Sequence, residues 1–115
     1  MKKKDILFKN LGDAYFNLGI VEKAVINYEN ATILNDDNHE ALYNLAVCLY
    51  MQKNYDSSKL KVQRAMMMDH NNDSYLELYK QIGIAIQQEK TRWWKEIGFS
   101  SYNYFFLEKT PDKCV

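Results

Sequence analysis

Between Phe8 and Ala31 the apolar and small side chains fall into two helical stripes. Phe8, Leu11, Gly12 and Tyr15 stand at i, i+3, i+4 and i+7, the spacing that gathers residues on one face of an α-helix. A glycine inside such a stripe costs about 1 kcal/mol of helix propensity relative to alanine. It makes sense where a second helix has to come close. Gly19 marks a turn. Val21, Ala24, Val25, Tyr28, Ala31 and Thr32 then form the second stripe, small where a partner would press in. Asn35, Asp36, Asp37 and Asn38 close it, all residue types that favour turns and caps. Asp37 followed by Glu40 has the spacing of a capping box for the next helix.

A shift of 34 residues carries this pattern onto Leu42, Leu45, Ala46 and Leu49, and onto Ser58, Val62 and Ala65. Large positions stay mostly large and small ones stay small, and self-similarity at this period signals a stacked repeat. Lys53 and Asn54 supply the turn of the second copy, and Asp69 to Asn72 its closing cluster. A further shift reaches Leu76 and Tyr79, and there the match fails. Lys80 takes a small position, Gly83 a large one, and Arg92, Glu96 and Phe99 fall where Ala24, Tyr28 and Ala31 would recur. Leu76, Tyr79, Ile82, Ala85 and Ile86 still keep a helical stripe, which predicts one long helix from about Asp73 to Ile97.

These residues resemble the tetratricopeptide repeat (TPR). Its opening pattern of aromatic, two residues, Leu-Gly, two residues, Tyr is met by Phe8, Leu11, Gly12 and Tyr15, and its small-x3-aromatic element by Ala24 and Tyr28. Asp36 and His70 stand where each unit would carry a proline. The resemblance implies an all-α fold of helix-turn-helix repeats stacked in a right-handed superhelix, first helices lining the concave side. Residues 1–98 would form this domain, with repeats at 5–38 and 39–72 and a long C-terminal capping helix or degenerate third repeat at 73–98. Two helix pairs cannot cover their own apolar stripes well, so a closing helix is expected. Residues 99–115 form an aromatic C-terminal tail.

Composition narrows the function. Fifteen Lys and Arg balance fifteen Asp and Glu, which argues against the basic surface that phosphate backbones require, and so against nucleic acid as a partner. The run Lys2 to Lys4 reads as a solvated terminus. Asp5, Lys9, Asn10 and Asp13 interrupt any early apolar run, so neither a secretory signal nor a membrane partner is expected. Cys48, set among Leu45, Val47 and Leu49, reads as a buried apolar residue, and with Cys114 it makes no disulfide or zinc spacing. A reducing, cytoplasmic setting is the expectation. Met66, Met67 and Met68 point about 100° apart on a helix and cannot converge on one metal ion. His39 and His70 fall in the inter-repeat turns and are expected to be solvated. With no catalytic or phosphate-binding motif, neither an enzyme nor a cofactor is expected.

The expected role is a non-catalytic protein–protein interaction module or adaptor, holding a peptide or helix in the concave groove. Its partner-binding residues would be those of the first helices turned away from the packed stripe. They are Lys9, Asn10, Asp13, Phe16 and Asn17 in the first unit, and Tyr43, Asn44, Val47, Tyr50 and Met51 in the second. Left in water together, Phe16, Tyr50 and Met51 would make a costly apolar patch. Chaperone-binding members of the family grip C-terminal carboxylates with lysines, asparagines and an arginine. Lys9 and Asn44 match that clamp, but Asp13 replaces an asparagine, Ser74 a lysine and Leu78 the arginine. A chaperone carboxylate is therefore disfavoured as ligand. Seven aromatics stand between residues 93 and 106: Trp93, Trp94, Phe99, Tyr102, Tyr104, Phe105 and Phe106. They read either as an intramolecular cap or as a contact with another chain, a second copy included. The alternative function is thus a structural subunit or self-associating protein that docks through this tail.

Overall fold

The computed structural model describes residues 2–97, with the side chains of Lys2, Lys3 and Ile97 left aside. The described residues form five helices: α1 (Lys2–Asn17), α2 (Val21–Leu34), α3 (His39–Met51), α4 (Tyr55–Met68) and α5 (Asp73–Ile97). The chain divides into two units, Met1–Gly83 and Ile84–Val115. In the second unit, Arg92 pairs with Glu89 at 2.7 Å and the rings of Trp93 and Trp94 meet edge to face. The expectations for residues 99–115 lie outside the described residues.

Short turns make α1–α2 and α3–α4 antiparallel pairs. Each first helix ends in the same way. Gly19, at φ 81°, follows α1, with Gly19 N–H donating to Phe16 O and Ile20 N–H to Tyr15 O. Lys53 at φ 64° repeats this after α3, with Lys53 N–H on Tyr50 O and Asn54 N–H on Leu49 O. These are paired C-terminal bonds closed through a left-handed residue, and only the first copy uses the glycine that adopts that conformation without strain.

The closing clusters cap the next helix, but not through Asp37. Asn38 caps α3, its side chain accepting from Ala41 N–H at 3.0 Å, while Asp37 N–H donates to Asn35 Oδ1. Asn72, one period later, caps α5 through Tyr75 N–H. Asp5 is buried and its Oδ2 accepts from Asn35 and Asn38, tying the start of α1 to the start of α3. One period on, His39 does the same for α5. It is half-buried rather than solvated, with Nδ1 2.8 Å from the Tyr75 hydroxyl. His70 is exposed.

The core is built from the repeating stripes. Ala24, Tyr28, Leu45, Cys48 and Leu49 cluster where the two helix pairs meet, with Tyr15, Phe16, Val21 and Val25 packed against them. Tyr28 lies over Gly12, and Ser58 Oγ donates to Ala46 O at 2.7 Å, so the small positions are where second helices approach first ones. Two expectations change at the ends of the array. Leu11 is 46% exposed, whereas Leu45, its counterpart, is fully buried; Leu7 is 66% exposed against 0% for Ala41. Among the described residues, no helix pair covers in α1 the positions that α3 buries against the preceding pair. In α5 the buried stripe is Tyr75, Leu78 and Ile82 rather than one through Leu76 and Tyr79. The face carrying Leu76, Lys80 and Gly83 is the one that would meet a second helix of its own repeat, and it is exposed.

Cys48 is completely buried, and burial with a smaller contribution from the Asp13 charge pushes its thiol up to about 11. Two consequences follow for a Cys114→Ser chain. Iodoacetamide should label Cys48 only as fast as the protein unfolds, even at pH 9. The neutral thiol's contribution to stability should be full below its unfolded value of 9.0 and fall as pH rises toward about 11. Labelling at the rate of a free thiol in the folded chain would contradict the first.

Candidate functional site

Asp13 is the hub of the site. It sits on α1, and its carboxylate joins three helices. Oδ1 accepts from the Tyr28 hydroxyl of α2 and from Asn44 Nδ2 of α3, the latter at 3.3 Å. Oδ2 pairs with Lys9 Nζ one turn earlier, at 3.2 Å. Lys9 also lies 3.7 Å from Glu40 at the start of α3. The lysine therefore stands between two carboxylates, and its charge is spent within the protein. Burial, then the bond to Asp13 and that residue's negative charge, push the Tyr28 hydroxyl well above the usual phenol range. It remains a donor.

Beside this hub lies a depression of about 380 Å³. Asp13, Phe16 and Asn17 line it from α1, Tyr43, Asn44 and Val47 from α3, and Tyr28 from below. A second depression, of about 440 Å³, begins on the other side of Tyr43 and is lined by Asp73, Ser74, Glu77, Leu78 and Gln81 of α5. The Tyr43 ring stacks on Tyr75 with centroids 4.8 Å apart, which fixes the divide between them. Tyr75 is held in turn by His39, and burial, with the charges of Glu40 and Asp69, pushes its hydroxyl up to about 12. The Tyr75 hydroxyl is neutral over the whole physiological range.

Six of the ten residues expected to bind a partner thus line one depression: Asp13, Phe16, Asn17, Tyr43, Asn44 and Val47. Lys9 joins them through its ion pair. Asn10 is exposed outside the lining, Met51 is more than half exposed, and the half-buried Tyr50 turns its ring toward Tyr55, 5.6 Å away. Tyr28, Glu40 and the α5 residues also belong to the site or its rim. Tyr28 carried a signal in the sequence. A tyrosine on a packing stripe brings a hydroxyl that needs a partner when buried, and the polar face of α1 was the place to seek one.

Among the described residues, no group of three or more His, Cys, Asp or Glu side chains could hold a metal ion, and no helix is long and apolar enough to cross a membrane. The family model for the TPR repeat matches residues 12–53, from the middle of α1 through α3 and its turn. Those residues carry a tetratricopeptide repeat. Among solved structures, the chain is similar to one described as the first TPR of Spaghetti (RPAP3) bound to the HSP90 peptide SRMEEVD. The TM-score is 0.70 at 17% identity, over 78% of this chain and 73% of that one, a likeness of fold. The search of curated proteins returned no significant match. Five helices, with TPR helix pairs followed by a longer C-terminal helix, are the architecture the repeat period implied.

Proposed function

We propose that this TPR chain is a non-catalytic protein-interaction module that holds an extended peptide or a helix against α1 and α3. The observation that carries the reading is the depression lined by Phe16, Tyr43 and Val47 and rimmed by Asn17, Asn44 and Asp13. Apolar walls with a few convergent polar groups are what a ligand site needs. A structure of similar fold holds a peptide, by its description, which supports the same class of ligand here.

Asn17 is exposed at the edge of the depression, so a larger side chain there fills the site without disturbing the core. Peptides selected from a random twelve-residue library on the parent chain should lose about ten-fold or more in affinity for an Asn17→Trp chain. Its thermal midpoint should stay close to the parent's. Selected peptides that bind both chains equally would move the site elsewhere.

A further inference from the structure

We infer that the partner segment is cationic: the site takes a peptide or helix presenting lysine or arginine, and rejects acidic segments. This rests on the groove reading above and names the ligand's chemistry.

Charge segregation is the ground for it. The chain as a whole is balanced, fifteen against fifteen, yet among the described residues the two depressions flanking Tyr43 are lined by Asp13, Asp73 and Glu77 and by no lysine or arginine. Lys9, the cation beside Asp13, lies 3.2 Å from Asp13 and 3.7 Å from Glu40, so this group of three carries one net negative charge. Glu77 is met by a neutral donor, Gln81 Nε2 at 3.2 Å. Lys80 lies one turn along α5 outside the lining. The Asp13 side chain keeps 38% of its surface open to solvent, so it can meet a ligand while holding Tyr28.

Charge sets the direction of the preference. A ligand carboxylate brought against these anions would be repelled, and an ammonium attracted. The aromatic and aliphatic surfaces suit the same partner. A lysine or arginine stem can lie along Phe16 and Val47, and its head can meet the face of a tyrosine. Tyr43, shared by both depressions and backed by Tyr75, is that tyrosine.

The test uses the full-length chain and the same random twelve-residue library, with the acidic heptapeptide SRMEEVD as a defined probe. Enriched peptides are expected to carry more Lys and Arg than Asp and Glu. Their affinity should fall as salt rises from 50 to 500 mM, by an amount on the order of ten-fold. An Asp13→Asn, Glu77→Gln chain should bind them about ten-fold more weakly and respond less to salt. Asparagine at 13 still accepts from Tyr28 and Asn44, so the fold is kept. SRMEEVD should bind the parent at least ten-fold more weakly than the enriched peptides do.

Acidic or neutral enrichment, or affinities indifferent to salt and to the double substitution, would overturn the charge preference. If Asn17→Trp still abolished that binding, the groove would stand and its cationic preference would fall. Basic peptides that ignore Asn17→Trp would overturn the groove itself. A library that enriches nothing would overturn both.

Discussion

A Gly12→Ala chain is expected to be less stable than the parent by about 2 kcal/mol, the cost of overpacking a close contact. Helix propensity alone predicts the opposite, a gain of about 1 kcal/mol. Geometry decides between them. A Cβ at position 12 would stand 2.7 Å from Cδ1 and Cε1 of Tyr28 and 3.0 Å from Cζ. The ring has little room to retreat, because it is 2% exposed and its hydroxyl is held by Asp13. Urea unfolding of the two chains measures the difference, and a higher midpoint for Gly12→Ala would show that the ring yields after all. The second repeat offers the rescue. There Ala46 and Val62 take the places of Gly12 and Tyr28, a larger residue facing a smaller one. Adding Tyr28→Val to Gly12→Ala should therefore cost less than the two single changes summed.

The larger loss is expected at Leu45. Leu45→Ala should cost about 3 kcal/mol, from the lost transfer energy and the cavity left behind. For a domain of this size that is a drop of about 15 °C in thermal midpoint. Leu45 is fully buried in the cluster that joins α2 to α3, so the change acts where one helix pair is coupled to the next. Leu11→Ala is the internal control: the same position of the repeat, but 46% exposed. It should cost no more than about 1 kcal/mol by area. Calorimetry on both chains would separate them, and equal losses would mean that Leu11 is covered in solution.

The repeat was the legible part of the sequence. Small residues at 12, 24, 46 and 58 and the spacing between them carry helix number, pairing and turns, because each copy must meet its partner in the same way. The two ends were less legible. A period assigns Leu11 and Leu76 the surroundings of Leu45 and Leu42, while burial depends on whether a neighbour exists on that side. The cap at Asn38 was missed for a local reason. Asp37 and Asn38 are both good capping residues, and the backbone of the 35–38 turn selects the second. At the site, the polar face of α1 and α3 could be read from helical phase. That Asp13 draws in Tyr28, Lys9 and Asn44 together could not, since three helices have to be placed before one carboxylate can reach them all.

The exposed face of α1 has a consequence for how binding would register. In a linear array, each unit owes part of its stability to the units on either side. Among the described residues, no helix pair lies against the face of α1 that carries the exposed Leu7 and Leu11, and α1 meets the second pair through the polar contacts of Asp5, Lys9 and Asp13. Asp13, Phe16 and Asn17 stand on it, facing α3. A ligand spanning α1 and α3 would add support to α1 from the other side, slowing amide exchange along the helix beyond the residues it touches.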